Sequence, residues 1–341
     1  MAGGSGQRFW PVSTAERPKQ FLRLTSPDRS LLQEAVGRAV ELFGPDSTYI
    51  ATGVPLADSS RQECPDLSFE NVLAEPAKRN TTGCLVWVAA NLIARNPNGW
   101  SDISIAVLTA DHRISPTEGF HKTVSLALDT AEQTGGLVTI GIRPDRPETG
   151  YGYIELGEPL AKGRVAQSFR EKPNLETAQA YLDSGDHLWN SGMFFWTLPG
   201  FMKEMESAQP AIAAVTRQIA TLISDDKVDE ARAVFETLPS ISIDYALMEK
   251  ADRVFVVEAE FSWDDLGAWD ALRRSYTPDG AGNVSLGPVK LVETSDCVVY
   301  NESGHQEVAI LGMKGVVVVV TEDRIMVCPA DQAQDVRKFS M

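Results

Sequence analysis

The sequence predicts an α/β protein with an open mixed sheet and a small C-terminal β domain. Helix and strand patterns alternate from residue 30 to residue 142, which is typical of an open sheet with a largely parallel core. Residues 103–109 are almost continuously apolar, as in a buried parallel strand. With 341 residues, 43% of them hydrophobic, the chain is long enough to bury a large core. A turn-rich stretch at 277–282 predicts a boundary between domains at 1–276 and 283–341.

The first elements follow from capping signals and apolar periodicity. Ser30 and Gln33 form a capping-box pattern that predicts a helix over 31–43. Thr81 or Thr82 is the expected cap of a helix that ends near residue 95. Ser115, followed by Pro116 and an acid at residue 118, predicts an N-cap with proline at the first helical position, and a helix to about 133. Strands are predicted at 48–51, 72–74, 103–109 and 137–142.

The middle of the chain mixes short strands with helices, and the end is strand-rich. We interpret 145–275 as an insertion that builds a pocket on the same sheet. The C-terminal strands and a closing helix at 330–339 are expected to form a domain without chemistry of its own. The predicted middle strands are 152–156, 165–171, 193–196 and 254–257, and the helices are 175–184, 199–223 and 227–236.

The net charge and the cysteine content argue against several kinds of partner and of metal site. A formal charge of −16 argues against nucleic acid or an anionic membrane as a partner. Residues 1–25 nevertheless carry four cations against one acid, so an anion would be attracted locally. The four cysteines and four histidines show no metal-ligand spacing, which favours reduced thiols. Without an apolar run of roughly 20 residues or a leader-type stretch, we expect a cytoplasmic protein.

A glycine-rich loop opens the chain and is the strongest candidate for a phosphate site. Gly3, Gly4 and Gly6, with Ser5 between them, can present successive backbone N–H groups to phosphate oxygens. Arg8 and Lys19 add two cations. The spacing fits neither a P-loop nor a dinucleotide fingerprint. Glycines alone could also form an ordinary turn.

Eight ordered motifs resemble those of the sugar-1-phosphate nucleotidyltransferases. Within that family, the Pro-Lys-Gln-Phe form at 18–21 is most similar to the mannose-1-phosphate guanylyltransferases. A chance match explains one such motif easily and the ordered set hardly at all. The motifs lie at 2–21, 75–81, 111–112, 148–154, 169–173, 189–194, 242–245 and 263–267.

The resemblance implies a Rossmann-like nucleotidyltransferase domain, with GTP and mannose 1-phosphate as substrates and Mg²⁺ as cofactor. Asp111 and Asp265 would supply carboxylates to Mg²⁺, which prefers few protein carboxylates together with phosphate oxygens. Asp264 is the neighbour most easily confused with Asp265. The expected phosphate-neutralising residues are Arg8, Lys19 and Lys172. The expected nucleotide-binding residues are Gly3, Gly4, Ser5, Gly6, Glu75, Arg79 and Asn80, and the sugar-binding residues are Glu148, Thr149, Gly150, Glu171, Asn190 and Asp244.

Several alternatives remain open at this point. The sugar or the base could differ, because Gly83 stands where the family string has proline, or the chain could be a non-catalytic sugar-nucleotide sensor. Asp244 could bind sugar or cap a helix, Tyr151 could be a packing residue, and a homodimer is compatible with the resemblance. Trp269 and residues 194–196 are expected in the core.

Family members place a strand directly before the glycine loop. This chain begins at Met1, so we expect the centre of the sheet to lack that strand and the chain to be poorly stable or inactive as written.

Overall fold

Helices and strands largely alternate up to residue 142, in a computed structural model that describes residues 1–4 and 6–340. The helices are α1 (Leu31–Phe43), α2 (Val54–Glu63), α3 (Asn80–Arg95), α4 (Thr117–Thr134), α5 (Leu175–Ser184), α6 (Leu198–Ala208), α7 (Pro210–Ser224), α8 (Val228–Phe235) and α9 (Leu272–Ser275). The strands up to residue 264 are β1 (Ile50–Gly53), β2 (Val72–Glu75), β3 (Ser104–Val107), β4 (Arg113–Ser115), β5 (Leu137–Ile142), β6 (Gly152–Pro159), β7 (Arg164–Glu171), β8 (His187–Thr197), β9 (Val254–Glu258) and β10 (Ser262–Asp264).

A six-stranded sheet in the order β3-β8-β5-β9-β7-β6 forms the centre of the molecule. The sheet is mixed, as expected, but its core is less parallel than the alternation predicts. Strand β5 pairs parallel with β9, whereas β8 runs antiparallel to β3, β5 and β6. The reason is the length of β8, whose 11 residues include the predicted strand 193–196 and let it pair along its length with several neighbours. The buried aromatics of β8, Phe194, Phe195 and Trp196, lie in the core as predicted.

Strands β1 and β2 form a separate parallel pair, and the first two residues of the chain lie between this pair and β3. The Ala2 N–H donates to the Ala51 carbonyl at 2.8 Å, and the Ala110 N–H donates to the Met1 carbonyl at 3.2 Å. The Met1 ammonium donates to the Leu108 carbonyl at 2.7 Å, and burial lowers its pKa. Beyond Met1 a mainly apolar groove of about 390 Å³ separates β1 from β3, at the position where the resemblance places a strand. Its lining includes Leu32, Val36, Ile50, Leu85, Ile105 and Leu128.

Three helix boundaries differ from the sequence prediction. Neither Thr81 nor Thr82 caps α3, because the N-cap position falls on Arg79. Ser115 does not cap α4, because it pairs with β10 as part of β4 and leaves Pro116 at the N-cap. The predicted single helix 199–223 is two helices, because α7 starts afresh with a proline at its first position.

The C-terminal part is built from short, mostly parallel strands. Parallel pairs join β11 to β13, β13 to β15 and β12 to β14, and β16 closes antiparallel on β15. A 3-10 helical segment, Ala330–Ser340, then runs back to the glycine loop, where Phe339 stacks on Trp10 with ring centroids 5.0 Å apart. The strands are β11 (Val284–Leu286), β12 (Val289–Val292), β13 (Val298–Asn301), β14 (Val308–Leu311), β15 (Val316–Val320) and β16 (Ile325–Pro329).

One apolar cluster joins the two ends of the chain. Phe9 and Leu22, which follow the glycine loop, pack with Trp269 and with Val317 and Val336 of the C-terminal part. The residues that follow the glycine loop therefore pack against residues that are about 300 positions away in sequence. Across residues 1–4 and 6–340, no helix is both long and apolar enough to cross a membrane.

Candidate active site

The glycine loop turns sharply at Gly6. Gly6 has a φ of +59°, and a Cβ there would collide with the backbone of Lys19, so the turn requires glycine. Its carbonyl accepts a hydrogen bond from the Ser13 hydroxyl at 2.7 Å. Gly3 and Gly4 are exposed, with open space where their side chains would be. Ser5 lies outside the described residues.

A polar cavity of about 310 Å³ lies beside this turn. It brings together five of the predicted residues, which are Gly6, Arg8, Lys19, Asp111 and Asp265. Sequence reasoning gave no role to the other lining residues. These are Gln7, Phe9, His112, Gly267 and Arg337.

Lys19 is a buried cation that links the carboxylate of Asp111 to the backbone of Asp265. Its Nζ donates to Asp111 Oδ2 at 2.9 Å and also to the backbone carbonyl of Asp265. Burial is the largest influence on Asp111 and would raise its pKa, but the charge and hydrogen bond of Lys19, together with the charges of His112 and the amino terminus, outweigh it and hold the pKa at about 2. Asp111 is therefore a carboxylate at neutral pH. The neighbouring His112 accepts at Nδ1 from the Trp263 indole N–H at 3.0 Å, and burial lowers its pKa.

The two adjacent aspartates of the 263–267 turn have different surroundings. Asp265 Oδ1 accepts from the Tyr151 hydroxyl at 2.6 Å, and its carboxylate faces the cavity. Asp264 is 6% exposed, binds Arg274 Nε through Oδ2 at 2.6 Å and accepts from the Leu266 N–H at 2.7 Å. Asp264 therefore holds the turn, and Asp265 is left to face a ligand.

Tyr151 is a positioning residue that the sequence suggested only as packing. Its ring meets Trp189 and Trp263 edge-on, at centroid distances of 5.2 and 5.1 Å. Burial and the carboxylate of Asp265 raise its pKa far above the ordinary value, so its hydroxyl stays a donor. Tyr151 therefore packs, as the sequence suggested, and also orients Asp265, which the sequence did not suggest.

The donor set of the cavity fits a magnesium ion. Asp111 gives Oδ2 to Lys19 and Asp265 gives Oδ1 to Tyr151, so each carboxylate keeps a second oxygen. Mg²⁺ is commonly bound by one or two carboxylates, with waters and substrate phosphates as the other ligands. The described part of the chain holds no group of three or more His, Cys, Asp or Glu side chains placed to enclose a metal ion.

Four of the predicted sugar and phosphate residues form a second polar cluster on β7, β8 and the turn at 244–248. Asn190 Nδ2 donates to Asp244 Oδ1 at 2.9 Å, and Lys172 Nζ pairs with Glu171 at 2.5 Å. Burial, together with the charge of Glu171, raises the pKa of Asp244. Asp244 opens a short π-helical turn, Asp244–Met248, without capping it, so the helix-cap alternative is wrong.

A backbone link joins this polar cluster to the cavity. The Lys172 N–H donates to the carbonyl of Tyr151, whose hydroxyl binds Asp265. Lys172 itself is exposed and does not line the cavity.

The motif at 148–150 forms a tight turn. Glu148 Oε1 accepts from the Gly150 N–H at 3.0 Å, and its Oε2 pairs with Arg146 Nε at 3.3 Å. Thr149 is exposed. The turn is connected to Tyr151 through Arg146, whose guanidinium lies 3.5 Å from the Tyr151 hydroxyl.

The predicted base-binding stretch lies at the end of β2 and the start of α3. Burial raises the pKa of Glu75 to about 7, and its Oε2 is buried without a hydrogen-bond partner. Arg79 donates from Nε and Nη2 to the Glu236 carbonyl at 3.2 and 2.6 Å, so it ties two segments together. Asn80 has a φ of +60° and accepts from the Thr81 N–H at 2.8 Å. Glu75 is thus the residue of this stretch whose side chain lacks a protein partner for one oxygen.

Comparison with known proteins gives matches over nearly the whole chain. The model of the nucleotidyl transferase family matches residues 1–278, and that of the MannoseP isomerase/GMP-like beta-helix domain matches residues 287–339. Mannose-1-phosphate guanylyltransferases from Escherichia coli K12 and Escherichia coli are 39% and 33% identical over 99% of this chain. The chain spans 71% and 74% of the lengths of these relatives.

Two solved structures extend the comparison. A crystal structure described as mannose-1-phosphate geranyltransferase from Thermus thermophilus has a TM-score of 0.88 and 33% identity, and the match covers 99% of this chain and 96% of the other. A mannose-6-phosphate isomerase from Helicobacter pylori has a TM-score of 0.60 and 25% identity, with coverage of 77% and 97%.

Proposed function

Because the chain belongs to the nucleotidyl transferase family, and within it to the mannose-1-phosphate guanylyltransferases, we propose that it transfers GMP from GTP to mannose 1-phosphate. One observation carries the proposal at the level of residues. The Gly6 turn, the cation Lys19 and the carboxylates of Asp111 and Asp265 surround a single polar cavity. This arrangement suits a phosphate chain that is bound by charge and by backbone N–H groups.

The reaction we propose is a direct in-line displacement. An oxygen of the sugar phosphate attacks the α-phosphorus of GTP, and the bond from that phosphorus to the bridging oxygen of the β-phosphate breaks. Pyrophosphate leaves with that electron pair. The protein contributes position and charge rather than covalent chemistry.

The roles follow from the surroundings of each group. Arg8 and the N–H groups near Gly6 bind the nucleotide phosphates, and Lys19 neutralises charge at the wall of the cavity. Asp111 and Asp265 would hold Mg²⁺, which when bound neutralises phosphate charge. Tyr151 keeps the Asp265 carboxylate oriented by donating to one of its oxygens.

The polar cluster of Glu171, Lys172, Asn190 and Asp244 is the proposed sugar side of the site. Carboxylate and amide groups supply the short donors and acceptors that sugar hydroxyls need. Lys172 is exposed and held by Glu171, so we propose that it changes partner to the sugar phosphate when substrate binds. Glu75, with one unpartnered buried oxygen, is the proposed acceptor for N–H groups of the base. We also propose that residues 1–276 and 283–341 are the two domains.

Pyrophosphate release, measured with a panel of nucleoside triphosphates and sugar 1-phosphates, tests the proposal. We expect GTP with mannose 1-phosphate to give the highest kcat/KM. A higher value for another pair would favour the alternative of a different base or sugar. Binding of GDP-mannose without any pyrophosphate release would favour the alternative of a non-catalytic sensor.

A further inference from the structure

The last helical segment of the C-terminal part reaches the cavity with one cation. Arg337, in Ala330–Ser340, lines the cavity together with the Gly6 turn and Arg8. Nothing in its local sequence indicates this placement, because residues 330–339 read as an ordinary amphipathic end segment.

The position of this segment is fixed by packing on both sides of Arg337. Val336 is 1% exposed and lies in the same apolar cluster as Phe9. Phe339 stacks on Trp10, whose carbonyl accepts from the Trp269 indole N–H at 3.0 Å. The segment is therefore attached to the residues that directly follow the glycine loop, and Arg337 is carried with it to the cavity.

The charges of the residues that line the cavity favour an anion-binding role for Arg337. Among the residues that line the cavity, the cations are Arg8, Lys19 and Arg337, and the carboxylates are Asp111 and Asp265. Arg337 is the third cation of this lining, in a protein whose formal charge is −16. A nucleoside triphosphate carries several negative charges, so cations that line the cavity favour its binding.

We propose that Arg337 is a phosphate-binding residue of the active site, which the C-terminal part supplies to the polyphosphate of the nucleotide. The planar guanidinium can donate two parallel hydrogen bonds to phosphate oxygens. The proposal rests on the nucleotidyltransferase function proposed above and adds that residues beyond the catalytic domain complete its phosphate site. The expectation that the C-terminal part has no chemistry of its own would then be wrong.

Substitution of Arg337 with a matched neighbour as control tests the proposal. Arg337→Gln removes the charge at the cavity, Arg337→Lys keeps it, and Lys338→Gln removes a charge one residue away that pairs with Asp335 at 2.8 Å. The probes are inorganic pyrophosphate with Mg²⁺, titrated by calorimetry, and steady-state kinetics with GTP and mannose 1-phosphate. Arg337 is exposed, and thermal unfolding of each variant verifies that the fold is retained.

We expect Arg337→Gln to weaken pyrophosphate binding and to raise KM for GTP by about 10- to 100-fold, the range for one hydrogen bond between charged groups. KM for mannose 1-phosphate should change little, Arg337→Lys should recover part of the loss, and Lys338→Gln should behave as the unaltered chain. Equal constants for Arg337→Gln and Lys338→Gln would overturn the inference. If the unaltered chain binds pyrophosphate through Arg337 but does not turn over GTP, the proposed function fails and the phosphate-binding role of Arg337 stands.

Discussion

Exchanging each of the two adjacent aspartates for asparagine should separate a structural from a functional carboxylate. Asp264→Asn replaces a side chain that is 6% exposed and bound to Arg274 at 2.6 Å. Removing one partner of a buried ion pair costs about 3–5 kcal/mol. Arg274 is 35% exposed and keeps Asp270 at 3.7 Å. Water and this second carboxylate therefore compensate part of the loss, and we expect a decrease of about 2 kcal/mol in the free energy of unfolding.

Asp265→Asn should lower turnover and leave the stability of the fold almost unchanged. The amide oxygen can still accept the hydrogen bond from Tyr151, so the melting temperature should stay within about one degree of the unaltered chain. The charge that faces the cavity is lost, and the loss of a single electrostatic stabiliser lowers kcat by about 10²-fold or more.

Thermal unfolding and pyrophosphate release, measured on both variants, distinguish the structural carboxylate from the functional one. In a chain of 341 residues, a destabilisation of about 2 kcal/mol corresponds to a melting temperature lower by about 3 °C, and we expect this for Asp264→Asn alone. Full turnover in Asp265→Asn would remove that residue from the mechanism. A large fall in kcat for Asp264→Asn without a change in melting temperature would refute the assignment of Asp264 to the fold.

Three further perturbations test other parts of the structure. The pKa of Glu75 is raised to about 7, so its carboxyl group destabilises the fold increasingly as the pH rises from the ordinary pKa of a glutamate through 7. Glu75→Gln should therefore raise the free energy of unfolding by about 2 kcal/mol at pH 8 and by much less at pH 5. Denaturant titration at the two pH values measures this difference. Gly6→Ala should lower kcat/KM for GTP at least about tenfold, because a Cβ would collide with the Lys19 backbone, whereas Gly3→Ala, in open space, should not. An apolar, β-branched segment of about six residues, added before Met1, should fill the groove beside β3 and raise the melting temperature. A polar Gly/Ser extension of equal length is the control. Equal melting temperatures for the two extended chains would contradict a strand site in the groove.

Local signals in the sequence predicted the individual elements well. The capping box at Ser30 forms with both of its hydrogen bonds, and β5 has the predicted bounds 137–142. Errors arose where a distant segment competes for the same residues. Ser115 has the composition of a helix cap but pairs with β10, about 150 residues away, and β8 extends beyond its apolar run because three strands pair with it.

The candidate site was predictable where a charged residue closely follows a predicted strand. Asp111, directly after the apolar run 103–109, lies at the cavity as the pattern indicates. The separation of Asp264 from Asp265 could not be read from the sequence, because it depends on Arg274 and Tyr151, which lie in other segments. No pattern in the sequence identifies Arg337, because its proposed role depends on a contact between the two ends of the chain.

The stacking of Phe339 on Trp10 has a consequence for the order in which the molecule can form during synthesis. The glycine loop leaves the ribosome well before the residues that pack behind it, Trp269, Val317 and Val336. Contacts of such sequence separation form late, because a long stretch of chain must be closed before they contribute stability. A nascent chain that has already folded its central sheet would therefore still lack the packing behind the proposed phosphate loop, and its full affinity for nucleotide would arise only once residues 330–339 have docked.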